Sequence, residues 1–165
     1  MKPVKKITIS AIVIALYIAV MFVTQGFAFG QYQIRIATSL YSLSYVYPFL
    51  ILPMGLANFL SNTLMGGLGP LDMFGGTIAG IVTAGAVYMV RKFKLNIWLI
   101  TIPIVLGPGL LVPVWLSVLL HVPYLPLALS ICAGQVLPAI GGVLIIRWAG
   151  RYISNSGKNT NGCEM

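Results

Sequence analysis

The chain has 165 residues, of which 59% are apolar and 7% charged, with a net charge of +8. Soluble domains carry about 25% charged residues, so this composition excludes a water-facing surface. It predicts an all-α integral membrane protein. At about 20 apolar residues per membrane-spanning helix, the chain has room for roughly five or six spans.

Six apolar helices are predicted in chain order. They cover about residues 7–24, 37–52, 54–65, 71–90, 96–120 and 126–148. A loop or re-entrant turn at 26–33 precedes the second helix, and GGLGP at 66–70 is a turn signal before the fourth. The GPG at 107–109 and Pro113 interrupt the fifth helix. Residues 37–65 are short for two spans and also fit one broken span.

Most basic residues lie in three groups, each beside an apolar segment. The groups are Lys2, Lys5 and Lys6; Arg91, Lys92 and Lys94; and Arg147, Arg151 and Lys158. This placement is typical of the positive-inside rule and does not indicate a nucleic-acid partner. Six spans with both termini in the cytoplasm put every group inside, whereas five spans leave one outside. We therefore expect one six-helix transmembrane domain at 1–151 and a flexible cytoplasmic tail at 152–165, in a multi-pass protein of the plasma membrane.

Three ionisable residues, Arg35, Asp72 and His121, fall on the outer side in this topology. A charge at the bilayer centre costs about 2.5–3.5 kcal/mol even on insertion scales, so such groups turn inward or line a wet cavity. They predict an outward-facing pocket. Arg35 also fits snorkelling to the headgroups or a structural bridge to Asp72. Asp72 also fits the N-cap of the fourth helix, and His121 fits an interfacial residue better than a ligand.

Other polar and small residues in the helices have two interpretations each. Asn58, Asn62 and Gln135 serve either interhelical hydrogen bonds or ligand orientation. Tyr41 and Tyr45, four residues apart, either stack on a flat ligand or belong to an interfacial aromatic belt. The small residues of the first helix that repeat every fourth position allow another helix to approach closely, whether a partner's or the chain's own. These residues are Ala11, Ala15 and Ala19.

Several chemical motifs are missing from the sequence. The sequence contains no phosphate-binding loop and no Ser–His or Cys–His pair placed for nucleophilic catalysis. Its single His cannot form a zinc site. The sequence therefore predicts neither an enzyme nor a self-powered pump, and it indicates no metal and no cofactor. A small binding protein that takes its energy from partners fits these absences best.

Three stretches within residues 24–92 carry a family resemblance: FGQYQIRIATSL, PFLILPMGLANFLSN and GLGPLDMFGGTIAG. Together they resemble the QueT family of predicted queuosine-precursor transporters, which are substrate-binding S components of energy-coupling factor (ECF) importers. The resemblance implies an S-component-like bundle of six helices with an outer pocket for a small nutrient. It also implies a partner module, made of a transmembrane coupling protein and two cytoplasmic ATPases.

The resemblance also implies roles for individual residues. Gln33, Arg35, Asn58 and Asp72 match the family pattern, whereas Thr38 stands where the family has Glu, which weakens the expectation of a deazaguanine substrate. Ala11 and Ala15 match the docking helix of S components. With the residues above, the expected substrate-binding set is Gln33, Arg35, Tyr41, Tyr45, Asn58, Asn62, Asp72 and Gln135. The alternatives are a stand-alone secondary transporter, an S component for a different vitamin or nucleobase, and a structural membrane protein.

Overall fold

The computed structural model describes residues 2–28, 33–65 and 68–160, with 150–160 described by their backbone alone. These ranges contain helices and no strand. The α-helices are α1 (Pro3–Ala28), α2 (Ile51–Leu64), α3 (Pro70–Lys92), α4 (Thr101–Leu120) and α5 (Tyr124–Thr160). The 3-10 helices are Ile36–Tyr45, called the rod below, Pro48–Leu50 and Ile97–Ile100.

Four helical stretches of the described chain are long and apolar enough to cross a membrane. They are Pro3–Ala28, Pro70–Lys92, Ile97–Leu120 and Tyr124–Ala149. A helix of 26 residues such as α1 is about 39 Å long, whereas a bilayer core is about 30 Å thick. The apolar helix Pro48–Leu64 is shorter. The count of six spans therefore stays a prediction.

The second predicted helix differs from expectation in kind and in extent. It is a 3-10 helix of 10 residues, about 20 Å long at a rise of about 2 Å per residue. The break falls at Tyr47, not near Pro53, because the residue before a proline is driven out of the helical region and Tyr47 has φ −122° and ψ 89°. Pro53 lies in the first turn of α2, where a missing N–H costs little.

The rod lies at the centre of the bundle and contacts all five α-helices. Glycines of the surrounding helices let it approach closely. A Cβ added to Gly142 of α5 would lie 3.1 Å from Ser42 Cβ, and one added to Gly80 of α3 would lie 3.2 Å from the Tyr41 hydroxyl. Small residues thus position the rod's polar side chains against its neighbours.

The distribution of polarity is that of a protein solvated by lipid. Many polar side chains are buried, among them Arg35, Asn58, Asn62, Asp72 and Gln135. Large apolar side chains face outward on every long helix, including Val23, Phe74, Val118 and Leu125. Since lipid tails solvate apolar side chains and polar groups in a membrane need partners, this arrangement suits a bilayer.

One basic residue from each of the three groups named above lies at the same end of the bundle. Arg91, at the end of α3, donates from Nη1 to the carbonyl oxygens of Tyr45 (2.8 Å) and Val46 (2.6 Å) at the end of the rod. The Arg147 guanidinium lies 5.4 Å from the centre of the Trp98 ring, near the start of α4. Lys6 lines a groove with residues at the start of α2. The beginning of the rod and the beginning of α3 lie at the opposite end.

Two further sequence predictions concern the fifth helix and the C-terminal tail. The predicted interruption of the fifth helix is wrong, since α4 is continuous through Pro108 and Pro113. Gly107 instead packs against Thr83 of α3, and Gly109 packs against Cys132 of α5. At the other end of the chain, α5 is helical through Thr160, within the segment expected to be a tail, and the tail's flexibility stays a prediction.

Parts of the predicted loops lie outside the described residues. In the loop expected at 26–33, residues 26–28 belong to α1 and 29–32 are not described. In the turn GGLGP, residues 66 and 67 are not described, Gly69 has a φ of 100°, and Pro70 begins α3. The tail residues 161–165 are likewise outside the described chain.

Candidate functional site

A buried group of polar side chains, called the polar cluster below, joins the rod to its neighbours near the start of the rod. Its members are Arg35, Thr38, Tyr41, Asn58, Asn62 and Gln135. Arg35 immediately precedes the rod and is 7% exposed. Its Nη1 donates to Asn58 Oδ1 at 3.2 Å, and its Nη2 donates to Asn62 Oδ1. Asn58 and Asn62 are four residues apart on α2, so they share one face and hold the guanidinium together.

The amide nitrogens of the two asparagines connect α2 to α3. Asn58 Nδ2 donates to the carbonyl oxygen of Gly76 at 2.7 Å and to the Tyr41 hydroxyl at 3.0 Å. Asn62 Nδ2 donates to the carbonyl oxygen of Asp72 at 3.0 Å. Both amides are therefore oriented with their oxygens toward Arg35. The asparagines make interhelical hydrogen bonds and position Arg35 at the same time.

The opposite side of the polar cluster is formed by α5. The Thr38 hydroxyl lies 2.6 Å from Gln135 Oε1 and 2.7 Å from the carbonyl oxygen of Arg35, so its one hydrogen is shared between them. Gln135 Nε2 donates to the carbonyl oxygen of Gln33 at 2.9 Å. Gln33 contributes this carbonyl from a left-handed backbone conformation, with a φ of 42°. Gln135 thus ties the segment that carries Arg35 to α5.

Asp72 is buried next to the polar cluster, but its carboxylate is directed toward α4. Oδ1 accepts a hydrogen bond from Trp115 Nε1 at 3.0 Å, and Oδ2 accepts one from the Leu68 N–H at 3.4 Å. The expectation of an N-cap is wrong, because Gly69 is the N-cap and Asp72 lies two residues after Pro70. A carboxylate in the first turn still interacts favourably with the helix dipole.

The two tyrosines of the rod contact different parts of the protein. Tyr41 is 1% exposed and stacks on Tyr17 of α1, with ring centres 6.0 Å apart and hydroxyls 3.4 Å apart. Tyr45 packs against the core near Val87 and Ile100. The expectation of a shared face assumed an α-helix. In a 3-10 helix, residues at i and i+3 align, so residues at i and i+4 point in different directions.

The expected docking residues lie on the outer surface of α1. Ala11, Ala15 and Ala19 are all exposed. Ala15 and Ala19 line a groove of about 610 Å³ between α1 and the end of α2. By contrast, Gly76 and Gly80 of α3 pack inside the protein: Gly76 packs against Asn58 and Asn62, and Gly80 packs against Tyr41 and Asn58.

Comparison with known families decides the class of this chain. A family model described as QueT transporter matches residues 7–151. The chain belongs to the QueT transporter family. The match spans most of the chain and includes α4 and part of α5, beyond the three stretches that carry the sequence resemblance. No curated protein matches the chain, and no solved structure does.

Membership of the QueT family sets the general role of the chain. The family is a transporter family, and the structure has four long apolar helices. The protein is therefore a multi-pass membrane protein of the plasma membrane that takes part in the transport of a small molecule. The family agrees with the expectation that the chain is not an enzyme. Within the described ranges, no three His, Cys, Asp or Glu side chains lie together as a metal site.

Sequence reasoning missed or misplaced three residues of this region. Tyr17 carries a buried hydroxyl on α1, and its position two residues after Ala15 puts it on the opposite side of that helix. Trp115 donates a hydrogen bond from Nε1 to Asp72 Oδ1. Thr38 was considered only as a departure from the family, yet it bonds to Gln135. The helical period was a usable signal for Tyr17, whereas nothing in the sequence pairs Trp115 with Asp72.

Gly76→Ala is expected to disrupt the polar cluster and to reduce ligand affinity at least tenfold. A Cβ at this position would lie 2.7 Å from Asn62 Nδ2, closer than real Cβ contacts, so Asn62 would have to move. The matched control is Gly85→Ala on the same helix, where a Cβ meets nothing within 4 Å. Ligand-dependent thermal shifts of the two variants measure the effect. Equal affinities would contradict a binding role for the Asn62 geometry.

Proposed function

We propose that the chain is the substrate-binding S component of an ECF importer and that it captures a queuosine precursor of the 7-deazaguanine type. It works with a transmembrane coupling protein and two cytoplasmic ATPases, which supply the energy for uptake. In this proposal the rod and α2 complete six spans, and both termini lie in the cytoplasm.

The observation that carries the proposal is the buried guanidinium of Arg35 held by two asparagine oxygens. Ionisable groups in a membrane interior are costly and mark substrate pathways by default. Arg35 supplies N–H donors to an acceptor on the ligand, such as a carbonyl or a nitrile, while the amides and hydroxyls around it orient the ligand. A site of this kind rejects analogues that lack the matching polar group, because its own buried groups are then left unpaired.

The charged residues at the two ends of the bundle support the proposed orientation in the membrane. Lys6, Arg91 and Arg147 lie at one end, as the positive-inside rule requires of the cytoplasmic side. Arg35 and Asp72 lie toward the other end, where a nutrient arrives from outside. In the proposed orientation, the polar cluster receives its ligand from the outer side.

The surface of α1 supports docking to a partner. Small side chains let a partner helix approach closely in a membrane, and Ala11, Ala15 and Ala19 are exposed on α1. On the opposite side of α1, Tyr17 contacts Tyr41 of the polar cluster. One helix therefore contacts both the ligand site and the proposed docking surface.

Two measurements test the proposed function. Purified protein should be stabilised by a 7-deazaguanine, by about 2.7 kcal/mol at a ligand concentration of 100 times Kd. Uptake into proteoliposomes should require the ECF module and ATP. Uptake by the chain alone would identify a secondary transporter instead. If another vitamin or nucleobase stabilises the protein and 7-deazaguanines do not, the S-component assignment stands and the proposed substrate is wrong.

A further inference from the structure

A groove on the outer surface of the bundle runs between α1 and the start of α2, away from the polar cluster. Its volume is about 450 Å³, within the range of about 300–1,000 Å³ that is usual for small-molecule sites. We call it the Lys6 groove. One wall consists of Lys6, Ile7, Ser10 and Ile14 of α1, and the other consists of Phe49, Leu52, Pro53 and Leu56.

The polarity of the Lys6 groove changes along its length. Lys6, Ser10 and Ile14 follow one another at four-residue spacing, so they share one face of α1. Lys6 brings a positive charge to one end, and the rest of the lining is apolar apart from Ser10. The Ser10 hydroxyl donates to the Lys6 carbonyl oxygen at 2.9 Å, so its hydrogen is already used. The groove is therefore cationic at one end and apolar beyond it.

The length of the Lys6 groove matches one leaflet of a bilayer. From Lys6 to Ile14, α1 rises about 12 Å, and half of a hydrocarbon core about 30 Å thick is about 15 Å. Lys6 lies at the same end of the bundle as Arg91 and Arg147. Because basic residues that flank an apolar span lie at the membrane surface, the Lys6 ammonium group is at the level of the lipid headgroups, and the far end of the groove lies among the acyl chains.

We propose that the Lys6 groove binds one anionic phospholipid from the leaflet at the basic end of the bundle, which is the cytoplasmic leaflet in the proposed orientation. The phosphate pairs with the Lys6 ammonium group, and an acyl chain lies along Ile14, Leu52 and Leu56. Leu52 is 70% exposed, so this chain covers apolar surface that α1 leaves open. Basic pockets between membrane helices on the cytoplasmic side bind anionic headgroups in this way.

The selectivity of the groove comes from its charge. Bulk lipid solvates apolar side chains as well as a bound acyl chain does, so the apolar wall alone does not favour one phospholipid over another. One lysine near a membrane surface contributes about 1 kcal/mol toward an anionic lipid, which is a factor of about five in affinity. The groove should therefore distinguish lipids by headgroup charge.

The test is native mass spectrometry of the full chain in detergent with dioleoyl phosphatidylglycerol or dioleoyl phosphatidylcholine, which share their acyl chains. We expect one phosphatidylglycerol to bind at least fivefold more tightly than phosphatidylcholine. Equal affinities would overturn the proposal. Inorganic phosphate, compared with chloride at the same ionic strength, should not displace the bound phosphatidylglycerol. Displacement by phosphate would show an anion site that needs no acyl chain, and it would also overturn the proposal.

Two pairs of variants locate the bound lipid. Lys6→Gln should lower phosphatidylglycerol affinity about fivefold, whereas Lys5→Gln removes the same charge beside the groove and should change it less than twofold. Ser10→Leu narrows the groove and should lower the affinity at least fivefold. Its control is Thr8→Leu, outside the groove, because each hydroxyl bonds to the carbonyl oxygen four residues earlier. Equal effects within either pair of folded variants would count against this location, and the comparison of two lipids on the unmodified chain decides the question if a variant does not fold.

The same variants distinguish a lipid from a protein partner. If Ser10→Leu prevents co-purification of the ECF module and leaves phosphatidylglycerol affinity unchanged, the groove docks a protein and the lipid proposal is wrong. The lipid measurements need neither a transported ligand nor a partner module. Their failure would therefore leave the proposed transport function intact, and failure of the transport experiments would leave the lipid site intact.

Discussion

Arg35→Ala is expected to abolish ligand stabilisation of the protein. Arg35 is the buried cation on which the polar cluster is assembled, and its removal leaves the side-chain oxygens of Asn58 and Asn62 without this donor. Each buried acceptor left unpaired costs about 1–3 kcal/mol, so the ligand-free protein should also unfold at a lower temperature. Thermal unfolding with and without a 7-deazaguanine measures both effects.

Two further variants make the Arg35 result interpretable. Arg147→Ala removes an exposed arginine from the opposite end of the bundle and should keep the full ligand-induced shift. Arg35→Lys keeps the charge but loses the planar guanidinium that reaches two asparagines. This variant should still fold, and its ligand affinity should be at least tenfold lower. Full ligand stabilisation of a folded Arg35→Ala protein would show that Arg35 is only structural.

Ala15→Leu is expected to block uptake without weakening ligand binding. Ala15 is exposed and lines the groove on α1, so a larger side chain there fits the isolated chain but prevents close approach of a partner helix. Uptake by proteoliposomes that contain the ECF module should fall to background. The Kd measured in detergent should stay within about twofold of the original value, which is a difference of about 0.4 kcal/mol.

Ala133→Leu is the matched control for the docking surface. Ala133 is an exposed alanine on α5, outside the groove of α1, and the same substitution there should leave uptake near its original level. Co-purification of the ECF module with each variant provides a second readout. Normal uptake by Ala15→Leu, or weakened binding in detergent, would contradict docking through this face.

Much of the polar cluster was predictable from single residues. Arg35, Asn58, Asn62 and Gln135 are polar groups in apolar surroundings, and such groups turn inward in a membrane because lipid offers them no partner. The structure brings these four together with Tyr41. Gln33 joins the same network by its main-chain oxygen.

The directions of the remaining side chains depended on backbone geometry that cannot be read from the composition. Tyr45 was expected to share a face with Tyr41, and the 3-10 geometry of the rod separates them. The change from 3.6 to 3.0 residues per turn changes which residues share a face of the helix. The direction of the Asp72 carboxylate was equally unreadable, because its partner Trp115 lies 43 residues away.

The sequence by itself determined that this is a helical membrane protein, where most of its basic residues gather, and that several polar side chains in its helices turn inward. These properties follow from the transfer free energy of each side chain, which is local and adds along the chain. Only the tertiary structure decided which group each polar atom bonds to. Those pairings depend on how closely helices approach, as at Gly76 and Gly80, where a side chain would displace Asn62 or crowd Tyr41. A hydrogen bond forms only when its donor and acceptor lie within a few tenths of an ångström of the preferred distance. Packing across the whole bundle sets these distances.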